Sequence, residues 1–225
     1  MKRFDLFLLR WGSVLAVTIF LGAISASATN LLIDPGLELQ TPGTGNGTNG
    51  GWNAANGAVK NSTFTNHTVG GHLALRLPPG ASSVPLIWEN VGTITGVGAV
   101  SAGMQFDLTA YGFITNTITT GRAGIQATFF GGASGTNNLG TVETSPGTAK
   151  FSNNIDSNSA VNTWISLDTG VFTAPAGTAY MQVYGIGIFL QPNGNSVWED
   201  DFDLELVAVP EPSTIALSAI GQICS

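Results

Sequence analysis

Apolar and polar residues alternate with a period of two along several parts of the chain. In AGMQFDLTAYGF (102–113), Met104, Phe106 and Leu108 alternate with Gln105 and Asp107. A β-strand turns successive side chains to opposite faces, so this alternation indicates a strand with one buried face. The same pattern recurs in HLALRL, RAGIQATFF, TAYMQVYGIGIFL and VWEDDFDLELV.

Between these segments lie loops rich in Gly, Asn, Ser and Thr. The pattern predicts surface loops at 41–51, 131–140 and 152–159. Strands and loops that follow one another about every ten residues, with few helix signals, are typical of an all-β fold. We therefore expect a single antiparallel β-sandwich of the jelly-roll type.

The first residues have the pattern of a secretory signal peptide. Lys2, Arg3 and Arg10 precede the apolar run GSVLAVTIFLGAISASA, which ends on Ala26-Ser27-Ala28. A membrane-spanning anchor is the alternative, but Ser and Ala interrupt the run before it reaches the roughly 20 apolar residues that a span needs. The sequence predicts a signal peptide at 1–28, cleaved after Ala28, and export of the remaining chain.

The chain that remains after this cleavage is acidic. It carries four Lys or Arg and thirteen Asp or Glu, a net charge of about −9. Such a surface repels phosphate backbones, so nucleic acid and anionic lipid are not expected partners. The one cysteine, Cys224, has no partner in the chain, so burial rather than disulfides must stabilise the fold.

Motifs for catalysis are few. The G-x-G-x-x-G pattern at 45–50 follows no strand and opens no helix, so it is interpreted as a loop. His67 and His72 lack a third ligand and make a poor zinc site. We predict no catalytic residue. The alternative is a polysaccharide hydrolase or lyase that uses Glu89 and Glu143 as paired carboxylates.

Two regions resemble jelly-roll carbohydrate-binding modules and galactose-binding-like domains. The opener NLLIDPGLE (30–38), followed by Gly51-Trp52, is similar to their first strand, with Asp34 in place of Asn and Leu37 in place of Phe. The closing half, from TWISLDTGVFTAPAGTAYMQVYG to VWEDDFDLELV, is similar to their end. The resemblance implies one sandwich domain over 29–207 that binds polysaccharide.

Aromatic faces that stack on sugar rings would carry such binding, although large aromatic residues on strands also serve as core. The candidate ligand-binding residues are Trp52, Trp88, Tyr111 and Trp164. A structural protein of the cell envelope that binds no small ligand is a variant of this interpretation.

The resemblance also implies a structural calcium ion between the first and last strands. Its ligands would be Glu38 and an Asp of the closing pair, Asp200 or Asp201. Strict alternation in VWEDDFDLELV puts Asp200 on the core face, where a carboxylate needs a donor or a cation. Calcium accepts carboxylate oxygens, so we expect this ion, with Asp200 preferred over Asp201.

The end of the chain, 208–225, resembles the PEP-CTERM sorting signal of exported proteins in Gram-negative bacteria that make extracellular polysaccharide. The resemblance implies processing by an exosortase after signal peptidase has acted, and a location outside the cell or on its outer surface. The apolar run IALSAIG is too short to span a membrane, and no basic residue follows it, so the signal is incomplete. The motif residues are Val209, Pro210, Glu211, Pro212 and Ser213.

Overall fold

The computed structural model describes residues 29–39, 51–61, 67–68, 74–77, 84–92, 100–131, 137–143, 154–188 and 196–207. These residues form eleven strands. No membrane-spanning helix is found within these ranges. The strands are β1 Asn53–Ala55, β2 Val59–Asn61, β3 Ala74–Leu77, β4 Leu86–Val91, β5 Gln105–Ile114, β6 Arg122–Phe130, β7 Asn138–Glu143, β8 Ile165–Asp168, β9 Phe172–Thr173, β10 Tyr180–Ile188 and β11 Val197–Val207.

The strands form two antiparallel sheets. One has five strands in the order β1-β4-β10-β6-β7, and the other has the order β2-β3-β11-β5-β8, with β9 also paired to β5. Buried apolar side chains of both sheets join in one core. The predicted all-β antiparallel sandwich is therefore confirmed.

Strict alternation sets which side chains fill this core. Along β5, Phe106, Leu108, Ala110 and Ile114 are buried, whereas the residues between them are half-buried on the outer side. On the facing sheet, Met181 and Val183 of β10 are buried in the same way. Each strand thus gives one face to the core and leaves the other for solvent or a ligand.

Two of the predicted loops contain more structure than expected. The 131–140 loop is shorter, because β7 begins at Asn138 and pairs with β6. In the 152–159 loop, Ile155 forms a bridge with Ala123 and is fully buried. An apolar residue within a polar segment was enough to anchor that loop to the core. Of 41–51, only Gly51 lies within the described residues.

The opener packs along β11 but contains no strand. The Leu31 N–H donates to Leu204 O at 2.8 Å, and the Phe202 N–H donates to Pro35 O at 2.9 Å. Between them, the Asn30 amide donates to Phe202 O at 2.9 Å and accepts from the Leu204 N–H at 3.1 Å. The two ends of the domain therefore meet.

A register shift in β11 overturns the strict alternation expected for this strand. Asp200 lies opposite Tyr111, but Asp203 lies opposite Thr109, so a bulge separates the two halves of the strand. After the bulge, the other set of alternating residues of β11 faces the core. Glu199, opposite Gly112, faces the core, whereas Asp200 shares the outer side with Tyr111. The prediction that Asp200 points with the core is therefore wrong, although its side chain is buried.

Candidate functional site

The four predicted aromatic residues lie in three different places. Trp52 is fully buried, packs against Phe202 with ring centroids 4.9 Å apart, and donates its indole N–H to Asp34 O at 2.7 Å. Its ring has no face left for a sugar, so the structure assigns it to the core. Trp88 lies on the outer side of the five-stranded sheet, whereas Tyr111 and Trp164 lie together on the other sheet.

The outer side of the five-stranded sheet carries neighbouring aromatic and amide side chains, which we call the amide face. Trp88 of β4 is directly opposite Tyr184 of β10, which is in turn opposite Gln126 of β6. One row away, Asn90 of β4 is opposite Gln182 of β10. The residues of the amide face are Trp88, Asn90, Gln126, Gln182 and Tyr184.

Hydrogen bonds hold these side chains in position. The Tyr184 hydroxyl donates to Gln182 Oε1, and the Gln182 amide donates to Asn90 Oδ1 at 2.8 Å. On β6, the Gln126 amide donates to Thr128 Oγ1 at 2.9 Å. The face is therefore an ordered set of donors and acceptors on rigid strands rather than a set of mobile side chains.

The side chains of the amide face are uncharged. Burial, with a smaller contribution from Tyr180, raises the pKa of Tyr184 to about 12, so its hydroxyl keeps its proton at neutral pH. Hydroxyls, amides and two aromatic rings on one surface match the chemistry of a neutral sugar, which offers hydroxyl groups and apolar C–H faces.

The outer side of the other sheet carries a continuous strip of rings, which we call the ring face. It comprises Tyr111, His67, Trp164, Phe113 and Trp198. Successive ring centroids are 3.7 Å apart for Tyr111–His67, 5.3 Å for His67–Trp164, 5.2 Å for Trp164–Phe113 and 6.4 Å for Phe113–Trp198.

The bulge of β11 holds His67 in this strip. Asp200 Oδ2 accepts the N–H groups of His67 at 2.7 Å and Thr68 at 3.2 Å. Asp201 Oδ2 lies 2.5 Å from His67 Nδ1, and Asp201 Oδ1 accepts from the Thr68 hydroxyl. Asp201 has a positive φ of 48°, so the two consecutive acids both reach the segment at 67–68. Burial raises the pKa of Asp200 to about 6 despite its N–H donors.

Next to Tyr111 is a cavity of about 450 Å³. Its lining includes Asn30 and Gly36 from the opener, Thr109 and Tyr111 from β5, and three acids of β11, namely Asp201, Asp203 and Glu205. Nearby, burial and then the charges of Asp168 and Glu205 raise the pKa of Asp107. This end of the ring face is therefore strongly acidic.

The predicted calcium ligands fit such an ion only in part. Both oxygens of Asp200 already accept backbone N–H groups, the third from Asp201 at 2.8 Å. Glu38 and Asp201 both lie next to Gly36. Within the described ranges, however, no three Asp, Glu, His or Cys side chains converge on one point. Both oxygens of Asp201 are engaged as well, by His67 and by the Thr68 hydroxyl. Only its position beside Gly36 and Glu38 favours Asp201 over Asp200 as a ligand, and the ion itself stays a prediction.

The two residues of the enzyme alternative lie on different strands. Glu89 is fully buried and faces the core, where its Oε1 accepts the Ile33 N–H at 2.8 Å. Glu143 lies on β7, which pairs with β6, and β7 is separated from the β4 strand of Glu89 by β10 and β6.

Several residues of the two faces were not predicted from the sequence. Gln182 and Tyr184, like Trp88 and Asn90, stand two apart on one strand, so their shared face could have been found from alternation. Nothing in the sequence marks His67 as a neighbour of Tyr111, because the contact depends on Asp200 and Asp201, more than 130 residues away. His72 lies outside the described residues.

Comparison with known proteins gives similarity in structure only. No protein-family model and no curated protein matches the chain. The arabinose-bound α-L-arabinofuranosidase MgGH51 is 10% identical, with a TM-score of 0.54 over 80% of this chain and 27% of that enzyme. This chain thus spans about a quarter of the enzyme.

Carbohydrate-binding modules are also similar in structure. The CBM22-1 xylan-binding domain of Xyn10C from Paenibacillus barcinonensis is 14% identical, with a TM-score of 0.45 over 76% of this chain and 95% of that domain. The C-terminal family 22 module of Xyn10B from Clostridium thermocellum is also 14% identical, with a TM-score of 0.42 over 75% and 94%. At these identities the likeness concerns the fold alone, a β-sandwich.

Proposed function

We propose that this protein is an exported, non-catalytic polysaccharide-binding protein of the cell surface or extracellular matrix, and that the amide face binds the saccharide. The observation that carries the proposal is the position of Trp88 directly opposite Tyr184, one row from the hydrogen-bonded pair Gln182 and Asn90. Two rings can stack on sugar units while the adjacent amides exchange hydrogen bonds with hydroxyl groups.

The charge of the protein favours an uncharged polysaccharide as the ligand. No side chain of the amide face carries a charge, and the chain after residue 28 has a net charge of about −9. An acidic polysaccharide would be repelled over distances of about a Debye length, roughly 8–10 Å at physiological salt. A neutral polysaccharide meets no such repulsion.

Export and sorting are part of the same proposal and rest on the sequence. The signal peptide at 1–28 and the PEP-CTERM-like tail at 208–225 both lie outside the described residues. The intact mass of the protein from its native host tests both ends. We expect cleavage after Ala28 and no stable membrane span, so recovery only with detergent-extracted membranes would contradict the proposal.

Binding and catalysis are separated by one experiment. The purified chain is run through gels that contain arabinoxylan, mixed-linkage β-glucan or galactomannan, with alginate as the acidic comparison, and the same mixtures are assayed for reducing ends and unsaturated products. We expect retarded migration with an uncharged polysaccharide and no products. Product formation that persists through purification and is lost in Glu89→Gln or Glu143→Gln would instead identify a hydrolase or lyase.

A further inference from the structure

The ring face is a second surface with the properties of a saccharide-binding strip. Tyr111, Phe113, Trp164 and Trp198 are half-buried on the outer side of their sheet, and His67 keeps 30% of its side-chain area exposed. These five rings contact one another on the outer side of the sheet, so they are not needed to fill the core. Tyr111 and Phe113 lie on β5, Trp198 lies on β11, and Trp164 directly precedes β8, so three neighbouring parts of one sheet contribute to the surface.

The cavity beside Tyr111 gives this strip a concave end. Its volume of about 450 Å³ falls within the roughly 300–1,000 Å³ of small-molecule sites. Thr109 supplies a hydroxyl there, and Asn30 supplies an amide. Asp203 and Glu205 line the cavity and supply carboxylate groups, which accept hydrogen bonds from hydroxyl groups.

The acids decide which saccharide this strip would accept. Asp201, Asp203 and Glu205 line the cavity, and no Lys or Arg is among the described residues that line it. Asp168 is exposed on the nearby strand β8. Carboxylates accept hydrogen bonds from sugar hydroxyls but repel uronic acids and sulfate groups.

We propose that the ring face is a second binding surface for uncharged polysaccharide, so that one molecule bridges two polysaccharide chains. The two faces belong to different sheets, whose inner sides pack against each other. They therefore point in opposite directions and cannot compete for one segment of ligand. A two-sided binder of this kind links neighbouring chains into a network through its two sites.

Variants that remove one face at a time test this inference. In the affinity gels with arabinoxylan, mixed-linkage β-glucan and galactomannan, Trp164→Ala is compared with Trp88→Ala and with the double variant. We expect each single change to weaken retention about tenfold and the double change to abolish it, since one well-packed aromatic contact is worth about that factor. Ser166→Glu, next to Tyr111 on the exposed side of β8, blocks the strip without removing a ring.

Bridging itself is measured by light scattering of each dissolved polysaccharide. The wild-type chain should enlarge the particles, and every single-face variant with an unchanged melting temperature should not. If Trp164→Ala and Ser166→Glu are both retained like the wild type and only Trp88→Ala loses retention, the second surface is overturned. The proposed function then stays intact. Loss in Trp164→Ala with none in Trp88→Ala would instead contradict the amide face. Particles that stay small with the wild-type chain would overturn bridging.

Discussion

His67 Nδ1 lies 2.5 Å from Asp201 Oδ2, although the two residues are 134 positions apart in the chain. The imidazole that is held in this way stacks on Tyr111 and completes the ring face. A contact between a turn segment and a β-bulge thus determines the shape of an outer surface, not only the stability of the sandwich.

We expect Asp201→Asn to lower the melting temperature slightly. The two side chains are 30% and 31% exposed, and a hydrogen-bonded contact of this kind contributes about 1 kcal/mol. For a domain of this size, that is a decrease of roughly 2–4 °C. Asn tolerates the positive φ of 48° at this position, so backbone strain does not contribute. Scanning calorimetry in chelator measures the change.

Asp168→Asn, an exposed acid on the same side of the sheet, is the control and should not lower the melting temperature, because the charge of Asp168 repels that of Asp107. A decrease of the same size in both variants would contradict a specific role of the contact between His67 and Asp201.

We expect the free energy of unfolding to decrease as the pH rises, because of Glu89. Burial raises the pKa of this carboxyl from 4.5 to about 7 in the folded chain. The folded chain therefore holds this proton more tightly than the unfolded chain. The contribution of Glu89 to the free energy of unfolding should fall as the pH rises from about 4.5 to about 7, and this contribution should be level above that range. The shift corresponds to about 3 kcal/mol.

Glu89→Gln should remove the contribution of Glu89 while keeping an acceptor for the Ile33 N–H. The contributions of Asp200 and Glu199, whose pKa values burial also raises, should remain. Urea unfolding at pH 4 and pH 8 measures it. The variant should match the wild type at pH 4 and exceed it at pH 8. Asp156→Asn, which keeps an acceptor for the Asn158 N–H, is the control and should behave like the wild type at both pH values. Parallel behaviour of Glu89→Gln and the wild type at both pH values would show that Glu89 is not the cause.

We expect Trp88→Ala to weaken binding of uncharged polysaccharide more than Tyr184→Phe does. The first change removes a stacking ring, and the second removes only the hydroxyl that donates to Gln182. The expected losses are about tenfold and about threefold, in line with one aromatic contact and one neutral hydrogen bond. Affinity gels measure both. Leu206→Ala, an exposed apolar change at the end of β11, should leave retention unchanged; equal losses in all three variants would count against the amide face.

We expect calcium to raise the melting temperature. At 100 times its dissociation constant, a bound ion adds about 2.7 kcal/mol, or roughly 5–10 °C for a domain of this size. Glu38→Ala and Asp201→Ala should abolish the rise, since both residues flank Gly36, whereas Asp168→Ala should keep it. Coincident melting curves in calcium and in chelator would exclude the ion.

Alternation alone determined much of the sandwich. The strand predicted in AGMQFDLTAYGF is found as β5, and RAGIQATFF and VWEDDFDLELV are found in full as β6 and β11. These strands follow from local chemistry, because a period of two makes one face apolar wherever the strand is placed. The opener, which resembles a first strand, contains no strand, although it lies along β11, as the contact between Leu31 and Leu204 shows.

The tertiary structure alone decided which side chains share a surface. The bulge after Asp200 reversed the parity of β11 and placed Glu199, not Asp200, in the core. Trp52 became a core residue because Phe202 and the opener enclose it. Parity is fixed only along an unbroken strand, and the contacts that enclose a ring or hold a distant histidine form between segments far apart in sequence. The local pattern of the sequence therefore does not predict these contacts.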